Sequence, residues 1–145
     1  MNFRTFGKKE APVLMLIPGL GVSYEIFNPL IELLRDRYSI VAVEVDGFTL
    51  GLHTKFTSID DQARQITEYI KSNHGDKIDS AYGLSLGGKI LSRVLEIDEV
   101  TIEHSVIPWN FARRHSCHWQ DSEDNWQCHK WFQLCHKGVI CAAVP

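Results

Sequence analysis

Apolar residues along the chain fall into two kinds of run that alternate with each other. Val13-Leu14-Met15-Leu16-Ile17 is unbroken, and Ser39-Ile40-Val41-Ala42-Val43-Glu44-Val45 is nearly so. Continuous β-branched runs of this length suit strands of a parallel sheet covered on both faces. Ile78–Leu84 and Val100–Ile107 predict a third and a fourth strand, the last made less apolar by Glu103 and His104. Between these runs the spacing changes to that of helices. Leu30, Leu33 and Leu34 follow Asn28-Pro29, which reads as N-cap plus first helical position, with Phe27 able to staple the entry and an end near Arg37. Ile59, Ala63, Ile66 and Ile70 follow Ser58, and Asn73-His74-Gly75 supplies a glycine stop. Ser58-Ile59-Asp60-Asp61 resembles a capping box with Asp in place of Glu. Leu86, Ile90, Leu91, Val94 and Leu95 mark a third helix that runs to about Glu96.

The predicted order is therefore β-α-β-α-β-α-β. It demands a parallel sheet with right-handed crossovers, an α/β three-layer sandwich. Ligands of such sheets sit outside the carboxyl ends of the strands. Two glycine-rich turns fall at those ends. The first strand stops at Pro18-Gly19-Leu20-Gly21, and the third delivers Gly83-Leu84-Ser85-Leu86-Gly87-Gly88. In the second of these, Ser85 stands between a strand and a helix. Gly83 and Gly87 leave room for the two elements to pass closely. A helix that starts just after Ser85 aims unpaired N–H groups at any oxyanion formed there. The bare Gly-x-Ser-x-Gly pattern arises by chance in roughly one chain of this length in twenty. The presence of a second glycine turn on the same edge makes coincidence much less probable.

Composition narrows the class. The 145 residues suffice for one domain, and 44% apolar with 23% charged residues describes a globular protein. A net charge of −3 without a basic cluster leaves no nucleic-acid footprint. Val13–Ile17 is too short to span a membrane, and the N-terminal stretch lacks the layout of a signal peptide, so a cytoplasmic location is expected. One contrast divides the chain. All four cysteines (Cys117, Cys128, Cys135, Cys141) and all four tryptophans (Trp109, Trp119, Trp126, Trp131) lie in the last quarter. A boundary is accordingly placed between Ile107 and Pro108, with residues 1–107 as the α/β unit and 108–145 as an irregular Trp/Cys/His-rich tail. The tail's three Cys-His pairs have neither Cys-x₂-Cys nor His-x₃₋₅-His spacing, so no metal site is expected, and no cofactor.

Residues from about Val13 to Ile107 resemble the N-terminal half of an α/β-hydrolase of the serine esterase or lipase-like kind. The resemblance rests on Pro18-Gly19-Leu20-Gly21, on Glu44-Val45-Asp46-Gly47 and on Gly83-Leu84-Ser85-Leu86-Gly87-Gly88. It implies a truncated α/β-hydrolase fold in which Ser85 is the nucleophile. The backbone N–H groups of Leu20 and Leu86 would form the oxyanion hole, and Gly19, Gly21, Gly83, Gly87 and Gly88 would shape the two turns. The implied substrate is a small molecule with an ester or related acyl bond. Members of the family place the acid and the histidine base of the triad on later loops, and no counterpart of either is recognisable here. His53, His74 and His104 do not match the family position, and Asp46-Gly47 reads as turn chemistry. Impaired turnover is therefore expected. The alternative is a non-catalytic binding module built on a half sheet, whose exposed edge favours self-association.

The abrupt tail and the missing triad members have one common explanation, a change of reading frame after residue 107; a divergent lid is the competing one. Translating the coding sequence beyond codon 107 in its other two frames should yield further strands, an Asp-bearing loop and a late His. If neither frame does so, the frame explanation fails.

Overall fold

A computed structural model describes residues 1–48 and 53–108, together with the backbone of residues 139–140. The sheet is built from β1 (Asn2–Gly7), β2 (Val13–Ile17), β3 (Ser39–Glu44), β4 (Lys77–Gly83), β5 (Thr101–Val106) and β6 (Val139–Ile140). Three helices connect them: α1 (Asn28–Leu34), α2 (Ile59–His74) and α3 (Leu86–Ile97). Strand order is β1-β3-β2-β4-β5-β6. All neighbours pair in parallel except β1, which runs antiparallel to β3 with Phe3 opposite Val43 and Phe6 opposite Ile40.

The three-layer arrangement follows from the two faces of the central strands. Val41 and Val43 of β3, Val45 just after it, and Met15 and Ile17 of β2 point to one side, where they pack with Ala63, Ile66 and Ile70 of α2 and Ile90, Leu91 and Val94 of α3. Ile40, Ala42 and Leu16 point to the other side, where Phe27 and Ile31 cover them at the start of α1. Every residue from Ile40 to Glu44 is buried, which is why β3 reads as a nearly unbroken apolar run.

Local signals set the helix ends. The Ser58 side chain accepts the Asp61 N–H at 3.1 Å, and Gly75 closes α2 in the left-handed conformation at φ 62. Only one arm of the expected capping box forms. The Asp61 carboxylate instead accepts from Thr57 Oγ1 at 2.6 Å and from Gln65 Nε2 at 2.9 Å. Asn28 is not a cap either. Ser23 caps a 3-10 turn over Tyr24–Phe27 that runs directly into α1, so Phe27 occupies the cap position and Asn28 is already helical. Helix α1 also stops at Leu34, earlier than Arg37, and the chain turns back through Tyr38 N–H on Leu34 O at 3.0 Å.

The sheet differs from expectation by one strand at its start. Residues 2–7 alternate too weakly to be read as a strand, and pairing with β3 supplies the missing organisation. Arg4 lies across from Ala42 and reaches along the edge to Glu44, Nε to Oε1 at 3.1 Å. At the other side of the sheet, Val139–Ile140 pairs with Ser105–Val106. The remainder of the tail, with its cysteines and tryptophans, lies outside the described residues, as does the expected irregularity of that segment.

Where α2 ends, His74 Nε2 is buried and has no hydrogen-bond partner among the described residues. Burial holds its pKa below the ordinary 6.5. The unfolded chain takes up this proton as pH falls through that value, and the folded chain resists it, so stability is full above it and declines below it. The urea midpoint should therefore be lower at about pH 5.5 than at about pH 7.5. In His74→Gln the difference between the two pH values should shrink; an unchanged difference would assign it to other groups.

Candidate active site at the sheet switch point

Strand order reverses between β2 and β4. The chain leaves β2 toward α1 on one face and leaves β4 toward α3 on the other. Two adjacent parallel strands whose continuations part to opposite faces leave a crevice at their carboxyl ends. Both glycine turns lie there. Leu84 N–H still donates to Ile17 O at 2.9 Å, which carries the ladder up to the residue before Ser85.

At Ser85 the backbone changes character. Its φ and ψ are 52° and −111°, a left-handed setting unusual for a residue with a side chain. The local packing accounts for it. A Cβ on Gly87 would lie 2.2 Å from Ile17 O and 2.6 Å from Pro18 O, and one on Gly83 would lie 2.6 Å from Gly87 O. Helix α3 therefore begins pressed against the ends of β2 and β4. The chain can bridge strand and helix only through a sharp turn, closed by Gly87 N–H on Leu84 O at 2.8 Å. A Cβ on Gly88 would meet Ile107 Cγ2 at 2.9 Å, which fixes the next turn of the helix against the end of β5.

Ser85 occupies the cap position of α3, and its carbonyl accepts the Gly88 N–H at 3.0 Å. A serine in this place ordinarily folds its hydroxyl back onto the helix N–H groups. Here the side chain makes no capping bond, because positive φ turns it away from the helix. The residue is exposed, and its hydroxyl is free of hydrogen bonds among the described residues. Leu86 is the first helical residue, so its N–H has no acceptor one turn back within α3. The β2 turn lies in ordinary contact with it: a Cβ on Gly19 would lie 3.4 Å from both Ser85 Cβ and Leu84 O. Gly21 follows with φ 70, and Leu20 between the two glycines is 67% exposed.

The histidines do not join this group. His104 sits in mid-strand, paired with Ser80, five residues before Ser85 and so on the order of 15 Å along the sheet. His74 ends α2 at the opposite sheet edge, the 16 residues of that helix spanning roughly 24 Å. His53 belongs to the β3–α2 connection on the same edge as Ser85 but makes no bond to it. Among the described residues no cluster of three or more His, Cys, Asp or Glu is arranged to hold a metal ion, and no helix is long and apolar enough to cross a membrane.

Two buried polar groups escaped the sequence reading. Gln62 is fully buried, accepts the Asp46 N–H at 3.1 Å and donates to Asp46 Oδ2 at 2.9 Å. Asp46 also accepts from Gln65 Nε2 at 3.0 Å, so it is more than a turn residue: these bonds clamp the exit of β3. The available signal was a glutamine next to Ala63 within the apolar stripe of α2. Glu44 is also buried at the end of β3, and its Oε2 finds no partner among the described residues. A shallow groove bounded by Phe3, Arg64, Glu68 and Tyr69 shares no residue with the Ser85 turn.

Comparison with known proteins agrees on the fold. No protein-family model and no curated protein sequence matches the chain. Solved structures do. An α/β hydrolase family protein from Desulfitobacterium hafniense superposes with a TM-score of 0.70 at 24% identity, over 74% of this chain and 43% of that one. An esterase from a Rhodococcus species matches with a TM-score of 0.62 at 18% identity, over 73% and 40%. The naproxen esterase of Bacillus subtilis matches with a TM-score of 0.60 at 25% identity, over 72% and 37%. The chain has a partial α/β-hydrolase fold and spans less than half the length of these structures.

The turn can be tested without any substrate. Ser85→Gly should raise stability by about 1 kcal/mol, since glycine adopts this backbone without strain. Gly87→Ala should cost about 3 kcal/mol or more, because the methyl group meets backbone that cannot move. Urea unfolding of both variants checks this; a stable Gly87→Ala protein together with a destabilised Ser85→Gly protein would mean the turn is built differently.

Proposed function

We propose that the protein is a serine hydrolase of ester or related acyl bonds with Ser85 as its nucleophile. The observation that carries the reading is Ser85 at the sheet switch point, its hydroxyl out of its own helix cap and its Cβ next to Gly19 of the neighbouring turn. In this reading Ser85 Oγ bonds to the substrate carbonyl carbon, and the carbonyl oxygen takes up negative charge. The N–H groups of Leu20 and Leu86 receive that oxyanion. The C–O bond to the alcohol then breaks, the alcohol leaves with the serine's proton, and water releases the acid from the acyl-enzyme. The glycines at 19, 21, 83, 87 and 88 serve only to let these groups approach.

The proton is the weak point. A serine hydroxyl needs a base to become an effective nucleophile, and the described residues place no imidazole or carboxylate in hydrogen-bond contact with it. Loss of the base in enzymes of this type costs on the order of 10⁴ to 10⁶ in rate, while oxyanion contacts and binding preserve a remainder. In this reading, turnover that relies on the described residues alone is slow. The second reading is a non-catalytic module that pairs with itself. It draws on β1, which hydrogen-bonds to β3 on one side and presents its other edge to no described strand.

A fluorophosphonate probe at high concentration and long incubation discriminates between them, since it needs one attack by an exposed hydroxyl and no turnover, which allows time for a serine without a base. Mass spectrometry should find the adduct on Ser85, and Ser85→Ala should remain unlabelled. Absence of labelling in a protein that elutes as a dimer would favour the second reading.

A further inference from the structure

Helices α2 and α3 both begin at the sheet edge where Ser85 lies, and they treat that edge oppositely. The first turn of α2 holds Asp60 and Asp61, which compensate the positive end of the helix. The first turn of α3 holds no acidic residue, and Lys89 is the fourth residue of that helix. Lys89 N–H donates to Ser85 O at 3.3 Å, so the lysine stands one helical turn, about 5.4 Å, above the serine. Side chains on a helix lean toward its N-terminus, which brings the lysine stem back over the Ser85 turn. A cation at this place opposes the helix dipole. Nothing offsets that: Lys89 is exposed and has no hydrogen bond or ion pair among the described residues. Its neighbours one turn away are Ser85, Leu86, Ser92 and Arg93, none of them acidic. The carboxylates that open α2 are engaged elsewhere, Asp60 by Arg93 and Asp61 by Thr57 and Gln65. Glu25, Glu44 and Asp46 likewise accept from Ser23, Arg4 and Gln62. An exposed lysine is ordinary on a protein surface. One that works against its own helix, one turn from a reactive group and without a partner, breaks a local rule with no structural gain.

We propose that Lys89 sets the charge of the substrate: an ester that carries a carboxylate within a few bonds of its scissile carbonyl. The inference rests on the reading of Ser85 as nucleophile. The ammonium pairs with that carboxylate from one turn above, and the carbonyl carbon is thereby held at Ser85 Oγ. Lys89 touches no reacting atom, so its part is selection of the substrate and not proton transfer.

Paired fluorophosphonates test this at one chemical step, one probe with a carboxybutyl chain on phosphorus and the other with the methyl ester of that chain. A second pair bears the same groups on the alkoxy arm, and the arm that shows the preference is the arm that bears the anion in the substrate. In the labelling step the Oγ–P bond forms, the P–F bond breaks, and fluoride and the serine's proton pass to water. The preference for the carboxylate probe should be about threefold to fivefold greater in wild type than in Lys89→Met, the scale of an exposed ion pair. Comparing the preference between proteins cancels the intrinsic reactivity of the probes. Lys89→Arg should keep the preference and Lys89→Glu should reverse it. Raising salt from about 20 mM to about 0.5 M should bring wild type toward the Lys89→Met value. Should a variant not fold, the salt series on wild type decides alone, and a preference unchanged by salt overturns the proposal. Equal preferences in wild type, Lys89→Met and Lys89→Glu with both pairs overturn it while leaving Ser85 in place. No labelling by any probe overturns the reading of Ser85 itself, and this inference with it.

Discussion

The structure depends on how closely helix α3 can start against the ends of β2 and β4. Gly87 lies so near the Ile17 and Pro18 carbonyls that no side chain fits. That contact leaves the chain three residues, Leu84 to Leu86, in which to turn from strand to helix. The turn forces Ser85 to positive φ, and positive φ keeps its hydroxyl off the helix it caps. An unusual serine is thus the consequence of an ordinary packing demand. The cost of order 1–3 kcal/mol at one residue is borne by the apolar core beneath it.

The same contact organises the crevice. Since β2 and β4 are neighbours whose continuations go to opposite faces, the ends of both strands are open between the layers. The Gly19–Gly21 turn fills one side and the Ser85 turn the other. Behind them, the Gln62–Asp46 bonds hold the exit of β3 at the same edge, so three consecutive carboxyl ends are fixed by backbone or buried polar contacts.

Much of this was legible in the sequence, and the exceptions have physical reasons. The strands β2 to β5 and the three helices announce themselves through periodicity, because both faces of the sheet or one stripe of each helix are buried. The Ser85 turn was legible because its requirement is steric and local: only glycine satisfies it at 83 and 87. Strand β1 was not, since Asn2–Gly7 owes its order to Ser39–Glu44, far along the chain. The start of α1 shifted by one residue because Ser23 caps a preceding 3-10 turn, a contact that competes with Asn28. The Gln62–Asp46 pair was hidden for the opposite reason: the place of Gln62 within the apolar stripe of α2 hints at burial, but its partner far from it in the chain is known only from the fold.

The most direct measurement of the central claim is a crystal structure of the protein bearing a phosphonate on Ser85. Ser85 is expected to retain its positive φ, and the phosphoryl oxygen to accept from the N–H groups of Leu20 and Leu86, each at about 2.7–3.1 Å. A relaxed Ser85 backbone, or a phosphoryl oxygen directed to solvent away from both amides, would contradict it.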